Sequence, residues 1–303
     1  MRRERLRPGR RAGACRGFTL IELVVAIVIF GVMAAALTVF YRPAFEAYLA
    51  TRSRADLAAQ AGHALTRMQA DVRAAVPNSI RTPGANCIET LPTASGGRYR
   101  RSADTVNDSA PGCSPGATCS APLDPTQATT VFDVLTPLTP VPATGDFVVV
   151  DNHNPGDVYA GSNRAAIIAV GTPTAAHGLH RITVTSTAFP AGYDGGRFVV
   201  VPATQRAVFY VCSGADGSLD ANGDGKGRLV RLSNYGFNAA YPAACPTTTG
   251  GAVLATQVRS CRFIYEPNQG ATQQNGFVSL QLDLARRGET ASLVFGAHVV
   301  NTP

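Results

Sequence analysis

Positions 18–40 form an apolar run of 23 residues in which only Thr19, Glu22 and Thr38 are polar. At 1.5 Å of rise per residue, a helix over this run is about 35 Å long, enough to cross the hydrocarbon core of a bilayer. A second pattern follows over 41–76. Phe45, Tyr48, Leu49, Leu57, Ala61, Ala64, Leu65, Met68, Val72 and Val76 recur at intervals of three and four, with Arg52, Arg54, Asp56, Arg67, Asp71 and Arg73 between them. That spacing predicts one amphipathic stem helix with a face made to pack on a sheet. Pro43 predicts a kink or local melting, and Pro77 a stop at Val76.

Residues 81–127 are rich in Pro, Gly, Ser, Thr and Ala without periodicity, and read as a long loop insertion. Short apolar, β-branched runs follow at 130–135, 147–150, 165–170, 180–185, 197–201, 207–212, 228–232, 259–265, 277–284 and 292–300. The pattern predicts an α+β chain: a long N-terminal helix, transmembrane and then amphipathic, packed on a large antiparallel sheet in a head over 77–303.

Charge changes the picture at one end. Of the net +7, +6 belongs to residues 1–17, where seven arginines face a single acid, Glu4; the remainder holds 20 basic against 19 acidic residues. A basic flank stays cytoplasmic, so the apolar run is a single-pass anchor in an inner membrane with the head on the far side. The balanced remainder gives no broad phosphate-binding face, and no nucleic-acid partner is indicated. Arg98, Arg100 and Arg101 read as a solvated loop. A carboxylate inside an apolar span costs a few kcal/mol, which makes Glu22 a functional residue in search of a partner.

The order basic leader, Gly17, Phe18, Thr19, Leu20, Ile21, Glu22, Leu23, then a pure apolar helix resembles the type III signal of type IV pilins and of the pseudopilins of type II secretion. The resemblance implies a pilin-like fold and a leader, 1–17, removed by a prepilin peptidase after Gly17. It implies N-methylation of Phe18 as the new first residue. Glu22 is then the assembly residue that neutralises the amine of a neighbouring subunit, since a buried charge gains most from such a partner.

Cys15 lies in the leader, which leaves six cysteines: Cys87, Cys113, Cys119, Cys212, Cys245 and Cys261. An even number in an oxidising compartment points to disulfides, with Cys113 to Cys119, and Cys212 to either Cys245 or Cys261, preferred among 15 pairings. Asp220, Asn222, Asp224 and Lys226, around two glycines, match the first half of a calcium loop, but Arg228 and Arg231 stand where its later ligands belong. The same residues suit a β-hairpin turn, the favoured reading, and no other cofactor is implied. The five histidines, His177 and His180 included, fall in no catalytic or metal-ligating pattern, so the chain does not read as an enzyme.

Further motifs occur at 66–73 (TRMQADVR), 77–79 (PNS), 206–212 (RAVFYVC), 229–237 (LVRLSNYGF), 261–265 (CRFIY) and 298–303 (HVVNTP). Together they resemble the MshO-type minor pilins of the mannose-sensitive haemagglutinin (MSHA) pilus. That resemblance implies a minor pilin acting in pilus assembly or initiation at the tip. Its partners would be prepilin peptidase, other major and minor pilins and the inner-membrane assembly machinery, and its destination the cell surface. Two alternatives share the stem: a J-like minor pseudopilin of a type II secretion system, and an adhesin head carried on a pilin anchor.

Overall fold

The computed structural model describes residues 17–191, 196–269 and 275–302. The leader residues 1–16, with Cys15, lie outside them. The chain divides into two units, 1–52 and 53–303. Helix α1 (Leu20–Arg73) runs through both and continues unbroken past Pro43. Of the kink or local melting expected there, melting is absent: proline removes one donor, to the carbonyl of Val39, and the helix continues through it. The helix ends three residues before Val76, because the Val76 N–H turns to the carbonyl of Leu91 at 2.9 Å.

In the first unit the side chains from Gly17 to Leu49 are exposed, apart from half-buried Ala26. Phe45, Tyr48 and Leu49 belong to this exposed stretch and not to the packed face the periodicity assigned them. The second unit holds thirteen strands among the described residues: β1 (Arg81–Gly84), β2 (Cys87–Thr90), β3 (Ser95–Arg98), β4 (Ala128–Val134), β5 (Phe147–Val150), β6 (Arg164–Gly171), β7 (His180–Ala188), β8 (Arg197–Val201), β9 (Val208–Ser213), β10 (Gly227–Leu232), β11 (Ala252–Gln269), β12 (Asn275–Arg286) and β13 (Glu289–Val300). A one-turn helix, α2 (Asp157–Ala160), lies between β5 and β6.

These strands form the expected large antiparallel β-structure, split into two sheets. The first has the order β1-β2-β9-β10-β11-β12-β13, the second β3-β8-β5-β6-β7-β4. The second sheet closes on itself: Tyr99 bridges Val134, Leu135 donates to the carbonyl of Arg98 and Arg100 to that of Asp133, both at 2.8 Å. Its interior is filled by Phe132, Val148, Val150, Ile167, Ile182 and Phe198. The loop reading of 81–127 is corrected in its first part, where β1, β2 and β3 lie. Four-residue strands containing Pro83, Gly84, Gly96 and Gly97 carry too little pattern to be seen. Residues 99–127 have no regular strand, yet they are pinned: Asp108 accepts from the Ser120 N–H at 2.7 Å, and buried His177 brings Nε2 to 3.4 Å from the same carboxylate. Arg100, taken as solvated, donates to the carbonyl of His177 at 3.0 Å.

The first sheet carries the helix. Leu57, Ala61, Leu65, Met68 and Val72 pack on Val208, Leu229, Val258, Leu280 and Leu282 in one core. Burying such side chains contributes roughly 1.5–3 kcal/mol each relative to exposure. Within this apolar seam lies Asp71, which periodicity had placed on the polar face. Its Oδ2 accepts from Tyr210 Oη at 2.6 Å and from Arg231 Nη2 at 2.8 Å, while Oδ1 lies 3.4 Å from Arg67 Nη2. Burial, with the Asp71 charge second, raises the Tyr210 hydroxyl well above the usual tyrosine range, so it stays a donor.

A second buried pair sits at the other end of this sheet. Arg81 stacks its guanidinium 3.4 Å from the centre of the Tyr159 ring and donates to the carbonyls of Asn238 and Ala240 at 2.9 and 3.3 Å. Glu89 lies 3.8 Å away, fully buried, and burial pushes its carboxyl up to about 7 against the opposing pull of Arg81.

Two measurements follow. Asp71→Ala leaves the fully buried Tyr210 hydroxyl without its acceptor and part-buried Arg231 with only Gln205 and the Tyr210 oxygen, and is expected to cost about 3 kcal/mol in denaturant unfolding followed by tyrosine fluorescence, whereas Arg67→Ala, at the solvent side, stays within about 1 kcal/mol. For Glu89 the folded-state value lies above the ordinary 4.5, so the folded chain binds the extra proton between about pH 4.5 and 7 and loses stability as pH rises through that window. Stability should therefore fall by up to about 3 kcal/mol from pH 5 to pH 8. In Glu89→Gln that slope should flatten.

Candidate functional site

The start of α1 is built by Thr19, Glu22 and Leu23. Thr19 caps the helix: its Oγ1 accepts from the Glu22 N–H at 3.3 Å, and its carbonyl accepts from the Leu23 N–H at 3.2 Å. Glu22 reaches back, and its Oε2 accepts from the Thr19 N–H and from Thr19 Oγ1, both at 2.9 Å. This reciprocal arrangement is a capping box, in which Thr at the cap and Glu three residues on satisfy two donors that a helix start leaves free. Such a cap is worth about 1 kcal/mol.

Glu22 is thus not an unpartnered charge, the starting point of the sequence reading. Both of its bonds end on Oε2; among the described residues Oε1 takes none. The signal was present in the sequence as Thr-x-x-Glu ahead of an apolar run and was overlooked because the membrane cost of the carboxylate dominated. A carboxylate in the first turn also faces the positive end of the helix dipole.

Phe18, Ile21, Glu22, Val25, Ala26 and Ile29 line one stripe of the helix surface, with Glu22 its only charged member. Phe18 is 82 % exposed and Ile21 71 %, so this stripe presents a carboxylate framed by bare apolar side chains. Among the described residues Gly17, directly before it, has no neighbour within 4 Å of the position a Cβ would take, so none of them crowds the Gly17–Phe18 peptide. α1 is long and apolar enough to cross a membrane.

The remaining candidate residues lie in the second unit. Its six cysteines form three disulfides: Cys113 with Cys119, Cys212 with Cys261, and Cys87 with Cys245. Of the two partners left open for Cys212 it takes Cys261, which ties β9 to β11 with the two Cα atoms 6.5 Å apart. Asp220, Asn222, Asp224 and Lys226 form the turn between β9 and β10. Asp220 Oδ1 accepts from the backbone N–H groups of Asn222 and Asp224 at 2.8 and 2.9 Å; Asp224 accepts from the Arg287 N–H at 2.7 Å and from Gln257 Nε2 at 3.0 Å. Both carboxylates are occupied by turn and neighbour donors, an arrangement that suits the turn. Among the described residues no three His, Cys, Asp or Glu side chains converge as metal ligands. His177 and His180 are held apart in function: the first is buried against Asp108, and the second accepts from the Leu138 N–H at 3.4 Å.

Residues 13–38 match a family model, the prokaryotic N-terminal methylation motif. No curated protein and no solved structure matches the chain. The motif makes the chain type IV pilin-like and implies processing by prepilin peptidase in a pilin assembly context. The exposed apolar helix that follows fits anchoring in a membrane and packing in a pilus.

Proposed function

We propose that this type IV pilin-like chain is a minor pilin of an MSHA-type pilus, cut after Gly17, methylated on Phe18 and acting in pilus initiation at the tip. The observation that carries the reading is the match over 13–38 coinciding with a capped, exposed apolar helix start at Thr19 and Glu22. Cleavage would create an amine at Phe18, one residue before the cap. That amine adds a positive charge at the helix end that already carries the dipole's positive pole, and Glu22 is the acid within reach of both. In a filament the free Oε1 is available to the amine of a neighbouring subunit, while Oε2 keeps the cap.

The head supports a minor and terminal position. Two sheets, one of them closed, make a bulky unit over 53–303. Such a unit suits the end of a narrow filament better than every position along it. On this reading the head faces the periplasm before assembly, its partners are other pilins and the inner-membrane assembly machinery, and it catalyses no reaction of its own.

Intact mass of the membrane-extracted chain, expressed with and without a prepilin peptidase, tests the reading. With the peptidase, the chain is expected to lose residues 1–17 and gain one methyl group on Phe18; Gly17→Ala should remain full length. A chain that keeps its leader beside an active peptidase would overturn the proposal.

A further inference from the structure

Two arginines of the head carry charge that no acid among the described residues answers. Arg164 opens β6 opposite Val149, on the face of the closed sheet that Val148 and Val150 do not occupy. Arg206 lies two residues before β9. The segment 234–237 grips both. Arg206 Nε donates to Asn234 Oδ1 at 2.9 Å, and the Arg206 carbonyl accepts from the Gly236 N–H at 2.8 Å. One residue on, the centre of the Phe237 ring lies 3.8 Å from the Arg164 guanidinium and packs edge to face with Phe147 at 5.0 Å.

The backbone here is shaped for that grip. Asn234 and Gly236 have φ of 56° and 101°, the left-handed region that asparagine and glycine enter at least cost. On its other side Arg164 Nε donates to the Val158 carbonyl at 2.7 Å, and Gly161 makes room for the guanidinium, since an added Cβ would stand 3.2 Å from Nη2. Each guanidinium is thus fixed through Nε, and that of Arg164 through a ring face as well. The Nη groups of both are left over, and among the described residues none of them is bonded.

The acids beside these contacts are engaged elsewhere. Asp157, before Val158, accepts from the Asn154 N–H and Nδ2 at 3.1 and 3.0 Å; Asp146, before Phe147, accepts from the N–H groups of Ala143 and Ala203, both at 2.9 Å. Both arginines are half-buried. Burial, with the Arg206 charge second, holds the Arg164 guanidinium below the usual arginine range, so the two positive charges oppose each other. Pinned side chains cannot swing apart to relieve that repulsion, whereas an anion between them would.

We propose that Arg164 and Arg206 form an oxyanion site for a phosphate-type dianion, taken between the free Nη edges of the two guanidiniums. The charges match, two arginines to one dianion. Guanidinium forks also suit the spacing of phosphate oxygens, which they bind in pairs. Because the Nε bonds and the Phe237 stack hold the forks before a ligand arrives, little side-chain freedom is left to lose on binding. The site belongs to the head alone, so the inference stands apart from the pilin reading.

The test uses the full chain, purified from membranes in a neutral detergent, with inorganic phosphate as the probe and chloride and acetate at equal ionic strength as controls. Phosphate is expected to bind saturably in calorimetry and, at about 10 mM, to raise the thermal unfolding temperature. Arg206→Gln should weaken binding by about tenfold or more, the loss of hydrogen bonds to a charged group, and cancel the phosphate-dependent rise. Arg206→Lys, which keeps the charge without the fork, should fall between. Arg262→Gln, an exposed arginine on β11, should bind as the unaltered chain does. A short-chain phosphatidic acid that competes more strongly than phosphate would identify a lipid headgroup as the source, and one that competes no better a free phosphate or phosphate monoester. A chain with no saturable phosphate binding, one that chloride or acetate stabilises equally, or one whose binding is unchanged in both Arg206 variants would overturn the proposal.

Discussion

The fastening of α1 to its sheet rests on one carboxylate. Asp71 is inserted in an apolar seam and holds Tyr210 on β9 and Arg231 on β10, two neighbouring strands, from the last turn of the helix. Apolar packing alone would let a smooth stripe of Leu, Ala and Met slide along the sheet. A buried, hydrogen-bonded charge cannot slide, because a shift of one residue would part Asp71 from both Tyr210 and Arg231. The position of the helix register, and hence the point at which its packed face ends, follows from that contact.

The same helix carries two opposite demands along its length. From Leu57 to Val72 one face of it is buried in its own head, while from Phe18 to Leu49 its large apolar side chains are exposed among the described residues. Each end is closed by polar chemistry: the Thr19 and Glu22 capping box at the start, and Asp71 in the last turn. Glu22 therefore serves two purposes, which the membrane argument alone did not suggest. It satisfies the backbone donors that any helix start leaves free, and it offers a charge in a stripe of otherwise bare apolar residues.

Much of this was legible in the sequence, and the gaps have physical causes. The apolar run, the Gly17 to Glu22 motif and ten of the strand segments were visible because they have strong periodicity or a fixed order of residues. β1, β2 and β3 were not, since four-residue segments, β1 and β3 broken by Pro83, Gly96 and Gly97, look like loop and gain their strand state from pairing, β1 with β2, β2 with β9 and β3 with β8. Asp71 was read as solvent-facing because composition cannot reveal that Arg231, 160 residues later, arrives to meet it. The burial of His177 was illegible for the same reason, since its Nε2 lies 3.4 Å from Asp108, 69 residues earlier. The calcium-like turn kept half a ligand pattern, yet Gln257 and the Arg287 N–H, both remote in sequence, take up its oxygens.

The central claim is that this chain enters a filament by way of Glu22. The most direct measurement is mass spectrometry of the N-terminal peptide recovered from sheared surface filaments, comparing the unaltered chain with Glu22→Ala in cells that process both. The account predicts a peptide beginning with N-methylated Phe18 in the filaments of the unaltered chain, and its loss from filaments, though not from membranes, with Glu22→Ala. Recovery of the Glu22→Ala peptide from filaments at the unaltered level, or confinement of the unaltered chain to the membrane, would contradict it.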